Sequence, residues 1–91
     1  MEYIIVEFPE SREVFIDGQS AGQNRDPQTG AYRVFALLQG RHNFRLGGPS
    51  NYAPALQTVD VMNTAAVAPL RIAFHKTTSG LPGDPGVPDD D

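Results

Sequence analysis

The chain has 91 residues, 7 Lys and Arg against 11 Asp and Glu, a formal net charge of −4, and no cysteine. That length fits one domain with one thin core. The missing cysteines exclude disulfide staples and thiolate metal sites, and no apolar run is long enough for a membrane-spanning helix.

The charge is unevenly placed. Residues 1–76 hold Arg12, Arg25, Arg33, Arg41, Arg45, Arg71 and Lys76 against Glu2, Glu7, Glu10, Glu13, Asp17, Asp26 and Asp60. The body is therefore neutral, and the whole excess is Asp84, Asp89, Asp90 and Asp91. A neutral body has no field to draw in nucleic acid, so a nucleic-acid partner is not expected. The N-terminal stretch has no basic region and too short an apolar run for a signal peptide. A cytoplasmic location is expected if Met1 is the natural start, and an extracytoplasmic one if the chain is an excised fragment.

Taken in order, the body reads as short strands. Ile4, Val6 and Phe8 share one face, and Pro9 ends the run because proline offers no ladder donor. Val14 and Ile16 share one face of a second strand, with Phe15 opposite. Asp17-Gly18 then turns the chain into Gln19-Ser20-Ala21, a pair suited to positive φ. Gly22 to Gly30 reads as a polar loop.

Farther on, His42, Phe44 and Leu46 alternate with Arg41, Asn43 and Arg45, which turns Phe44 and Leu46 inward. A four-residue loop, Leu38 to Arg41, predicts a hairpin with Leu37 opposite His42, Phe35 opposite Phe44 and Arg33 opposite Leu46. This register buries Phe35 and Leu37 and exposes Val34 and Ala36. The rival register buries less apolar area. Gly47 to Pro54 is a loop containing Tyr52. Val59 and Val61 share a face of the next strand, and Leu70, Ile72 and Phe74 share a face of the last. The Ala65–Ala68 run allows a short helical turn that Pro69 ends.

These elements predict an all-β fold, a small antiparallel β-sandwich of six to seven short strands spanning residues 1–76. Residues 77–91 combine prolines, glycines and aspartates with little to bury, and are expected to be a disordered tail.

The ordered features resemble the PEGA domains, small β-sandwich modules often appended to larger bacterial proteins. The likeness runs from Pro9-Glu10 through Glu13-Val-Phe-Ile-Asp-Gly18 and Gly22. It continues with Leu37, Gly40 and His42, the Pro49, Tyr52, Pro54 loop, and Val59, Val61, Leu70 and Ile72. It covers about residues 3–75. Ser11-Arg12 stands where the family has Gly-Ala, and Asn63-Thr64 where it has a glycine. The resemblance implies a sandwich fold and brings no catalytic residues or agreed ligand.

No cluster demands a chemistry. His42 and His75 have no companion at metal-ligand spacing, so neither a metal nor another cofactor is expected. His42 is expected to bond a turn carbonyl near Gly40. Serine nucleophile elbows and phosphate cradles are absent from the sequence, and Asp17, Asp26 and Asp60 suggest no acid–base pair. The chain is therefore expected not to be an enzyme. Tyr52, Asn43 and Arg45 form the candidate binding surface, with Arg41 and Arg71 as further outward arginines. An exposed tyrosine can stack on sugars, and open sheet edges can accept a strand. The leading expectation is a non-catalytic module that contacts another protein. The alternative is a domain binding carbohydrate or cell-wall polymer through Tyr52.

Overall fold

The computed structural model describes residues 1–77, and the tail expected to be disordered lies, from residue 78 on, outside them. The described residues form an all-β sandwich. The strands are β1 (Glu2–Glu7), β2 (Glu13–Ile16), β3 (Gln19–Gln23), β4 (Phe35–Leu37), β5 (Gly40–Leu46), β6 (Tyr52–Ala53), β7 (Gln57–Val61), β8 (Leu70–Ala73) and β9 (His75–Lys76). One sheet has the order β4-β1-β8 and the other β3-β2-β5-β7, while β6 and β9 form a small third ladder.

The predicted faces explain how the two sheets meet. Ile4, Val6, Phe8, Phe35, Ile72 and Phe74 point inward from the first sheet and its continuations. Val14, Phe44, Leu46 and Val61 meet them from the second. Each set recurs with period two, so one face of every strand leaves water and drives the layers together. Asp17 (φ 54°) and Gly18 (φ 83°) make the two-residue turn between β2 and β3, with Ile16 opposite Gln19. Left-handed backbone at both turn positions is what Asp-Gly supplies at low steric cost.

The expected β4–β5 hairpin does not form. β4 pairs antiparallel with β1, placing Glu2 opposite Leu37 and Ile4 opposite Phe35. β5 pairs instead with β2 and β7, so Phe44 lies opposite Ile16 and Leu46 opposite Val14. The segment Leu38-Gln39 carries the chain from one sheet to the other. Phe35 is buried and Val34 exposed, as the inward pattern requires, although the pairing partners differ. The two aromatics belong to one core but come from different sheets, not from neighbouring strands of one ladder.

Three further details differ from the sequence reading. β1 and β8 run parallel, an exception among otherwise antiparallel pairs, because the long path between them returns the chain in the same direction. The helical turn at Ala65–Ala68 is a tight reversal in which those two residues pair through their backbones. The start of the Gly22–Gly30 loop belongs to β3 and carries a bulge. Phe15 opposes Ser20 while Val14 opposes Gly22, so Ala21 is the extra residue. Gly22 sits at φ 100°, and a Cβ there would come within 3.1 Å of the Arg33 guanidinium. Bulges on outer strands discourage continued pairing with other chains.

Candidate functional site

The three candidate binding residues do not converge. Tyr52 is packed into one end of the sandwich. Its ring meets Phe74 edge-on at 5.5 Å and Phe8 at 6.2 Å. Its hydroxyl donates to the Leu46 carbonyl at 2.8 Å and accepts from the Leu46 N–H at 3.2 Å. β6 and β9 hold the residue there, half-buried against these two core aromatics. Tyr52→Phe is expected to keep the fold and cost about 1–2 kcal/mol, since it removes only this hydroxyl from a half-buried site. Chemical denaturation would measure it.

Asn43 and Arg45 do lie together, on the outer face of the second sheet. Asn43 accepts from the Thr58 hydroxyl at 2.8 Å, and the Arg45 guanidinium rests over the Phe15 ring at 3.9 Å. Both belong to exposed cross-strand pairs, the ordinary way a solvated sheet face is covered. Arg41 lies near Asp60 and Arg71 near Glu7 in similarly exposed pairs, worth little to stability.

Two polar residues that look like surface residues in the sequence are buried. Arg12 is 8% exposed, and its guanidinium donates to the carbonyls of Gly47 (2.9 Å) and Pro49 (3.1 Å), to Glu10 (3.1 Å) and to Asn51. The same group lies 5.1 Å from the Phe8 ring centre. Asn24 is fully buried. It accepts from the Arg12 N–H at 2.8 Å and donates to the carbonyls of Val6 and Glu10 at 3.3 Å. Together they tie the β1–β2 connection to the loops at residues 24 and 47–51. Contacts from Lys76 first and Arg12 second hold the Glu10 carboxyl below its ordinary value. These are structural devices, because the hydrogen bonds of Arg12 and Asn24 all go to groups of the protein itself.

At the opposite end lies an open cleft of about 280 Å³, lined by Ile16, Asp17, Gln19, Ser20, Ala21, Leu37, Leu38 and His42. It sits between the β2–β3 hairpin of one sheet and the end of β4 in the other. β3 and β4 are the outer strands of their sheets. Its floor is aliphatic, with Ile16, Ala21 and Leu37 packed on the core. Leu38 opens from its wall to water, one of several large apolar side chains exposed among the described residues. Met1 is 70% exposed, Leu38 72%, Met62 45% and Val67 95%. Glu2 opposite Leu37 brings Met1 beside Leu38, and Gly40 opposite Val61 brings Met62 beside Gln39. Thr64 bonds to Glu2 and accepts from the Tyr3 N–H, which ties the segment after β7 to the start of β1.

The polar part of the cleft wall is the pair Asp17 and His42. One Asp17 oxygen accepts from the Asn43 N–H at 2.8 Å, and the other contacts His42 Nδ1 at 2.6 Å. His42 Nε2 contacts the Leu38 carbonyl at 2.7 Å. The bond from the Asn43 N–H first, and that from His42 second, holds the Asp17 carboxyl below its ordinary value. The Asp17 carboxylate first and the Leu38 carbonyl second push His42 upward from its ordinary value. His42 thus bonds a carbonyl of the turn before Gly40, as expected from sequence, and also a carboxylate that sequence reasoning assigned to its own turn. Among the described residues no group of three potential ligands could hold a metal ion.

Comparison with family models, with curated proteins and with solved structures found no match.

Proposed function

We propose that the chain is a non-catalytic interaction module that takes an extended apolar segment of another protein into the cleft between β3 and β4. The observation that carries this is the apolar mouth. An aliphatic cleft opens to water at Leu38, 72% exposed, and the β1–β4 register sets Met1, 70% exposed, beside it. Contiguous exposed apolar surface of this kind marks contact sites in otherwise soluble folds. The occupant follows from the lining. The only charged groups in the wall, Asp17 and His42, are satisfied by each other and by backbone. The cleft therefore asks for aliphatic side chains and a neutral backbone, not for a charged ligand. β4 is an outer strand beside the cleft, which suits backbone pairing with an extended segment, whereas the bulge at Ala21 disfavours β3. The residues that resemble a PEGA domain fit such an appended, non-catalytic role. The half-buried position of Tyr52 against Phe8 and Phe74 supports this reading over carbohydrate binding, which calls for an open ring face.

Peptides selected from a displayed library of extended sequences provide the test. Apolar peptides are expected to bind and to shift the amide signals of Ala21, Leu37 and Leu38, and Leu38→Asp should weaken them at least tenfold. Thr58→Asp, on the outer face, should leave binding unchanged. Failure to select any peptide, or shifts confined to the Asn43–Arg45 face, would refute this reading. Self-association abolished by Leu38→Asp would instead assign the cleft to a second copy.

A further inference from the structure

Both ring nitrogens of His42 face groups that can only accept a hydrogen bond. Nδ1 meets the Asp17 carboxylate at 2.6 Å, and Nε2 meets the Leu38 carbonyl at 2.7 Å. A neutral imidazole carries one N–H, so it can satisfy one of these partners and must point a lone pair at the other. An imidazolium satisfies both. The two partners belong to different parts of the sandwich. Asp17 forms the β2–β3 turn, fixed to β5 through reciprocal bonds with the Asn43 backbone. Leu38 belongs to the segment that crosses from the β4 sheet to the β5 sheet, and its side chain is 72% exposed on the cleft wall.

We propose that His42 is a proton-operated latch, which fixes the Leu38-Gln39 wall of the cleft when charged and releases it when neutral. On losing a proton, the ring keeps the N–H that faces the Asp17 carboxylate, the stronger acceptor. The Leu38 carbonyl then loses its donor and faces a lone pair. Asp17 is held on its other oxygen and stays in place, so the crossing segment is what moves. If the cleft takes a peptide as proposed above, the latch sets the pH range in which its wall is preformed. The latch itself rests on the ring geometry and stands without that reading.

The electrostatic surroundings are simple. From β2 and its turn, Asp17 alone faces the ring. The neighbour opposite on β7 is Val59, while Asp60 turns to Arg41 on the outer face. β4 presents Leu37, and the Phe44 ring lies 6.4 Å away on β5 itself. Asp17 is the carboxylate that sets the charge. The raised His42 value means that the latch contributes fully below the ordinary histidine value of 6.5 and is lost as pH rises through the raised one. The lowered Asp17 value means that its side contributes fully above the ordinary 3.8 and is lost as pH falls through the lowered one. Both halves are complete between those ordinary values.

Nitrogen-15 NMR of the full chain decides the matter, with His75→Gln leaving one imidazole to observe. Near pH 6, both ring nitrogens of His42 should carry protons. The ring should titrate above the ordinary histidine value, and the amides of Leu38, Gln39 and Gly40 should shift with the same midpoint. Hydrogen exchange of that segment, corrected for its intrinsic pH dependence, should become roughly three- to tenfold faster above the midpoint, as expected for one lost hydrogen bond. Asp17→Asn, which tolerates the left-handed turn position, should lower the midpoint while the fold remains. A single ring proton at pH 6, or amides at 38–40 that ignore the titration, would overturn the latch. This experiment needs no peptide, so a failed peptide selection with a working latch would count against the proposed function alone.

Discussion

Phe44→Ala is expected to cost on the order of 3–5 kcal/mol, enough to leave a domain of this size largely unfolded at room temperature. Phe44 is fully buried at the middle of β5, with Ile16 and Gln57 opposite it on the two flanking strands. Its ring is among the largest wholly enclosed side chains of the core, which has no second layer to collapse into the space. The next residue provides the control. Arg45 points outward over Phe15, and Arg45→Ala should cost no more than about 1 kcal/mol, the size of an exposed cation–π contact. Urea denaturation of the two variants would rank them. A larger loss for Arg45→Ala would mean that β5 is slipped by one residue, since such a slip exchanges the faces.

That experiment rests on what the sequence reveals best, the direction in which each side chain points. Burial alternates with period two, so Ile4, Val6, Phe44, Leu46 and Ile72 can be assigned from local pattern alone. Pairing cannot. Phe35 and Leu37 point inward equally well whether β4 folds back on β5 or crosses to β1, and a short connection serves either path. The deciding interaction is with Glu2–Ile4, more than thirty residues away, and a local reading does not see it. The parallel β1–β8 pair is hidden for the same reason. The Asp17-Gly18 turn was legible because its chemistry is local. The role of His42 was legible by halves. Its turn carbonyl is four residues away, but Asp17 reaches it only through the β2–β5 register. The cleft was not legible at all. It arises where outer strands of two sheets come together, and its lining is drawn from segments as separate as Ile16–Ala21 and Leu37–His42.

Arg12 carries the other large expectation. In the sequence it is a charged residue after a turn, standing with Ser11 where the resembling family has two small residues. Its burial follows from the number of acceptors that meet it: two loop carbonyls, Asn51 and the Glu10 carboxylate, arranged around one planar donor. A buried cation is tolerated only when so surrounded, and hydrogen bonds to a charged group are each stronger than neutral ones. Arg12→Met keeps the stem that covers Phe8 but removes the donors. The Gly47 and Pro49 carbonyls and Asn51 then lose their partner together, at an expected cost of about 2–4 kcal/mol. Arg12→Lys should recover little, because a single ammonium cannot span acceptors on both sides of the loop. The damage should also be local before it is global. Amide exchange should quicken first at Thr77, whose N–H bonds Asn51, and at Leu46, whose N–H bonds Tyr52. A double-mutant cycle with Asn51→Ala should show coupling of about 1 kcal/mol or more. Wild-type stability in Arg12→Met, or purely additive losses in the cycle, would mean that the 47–51 loop holds its shape without the guanidinium.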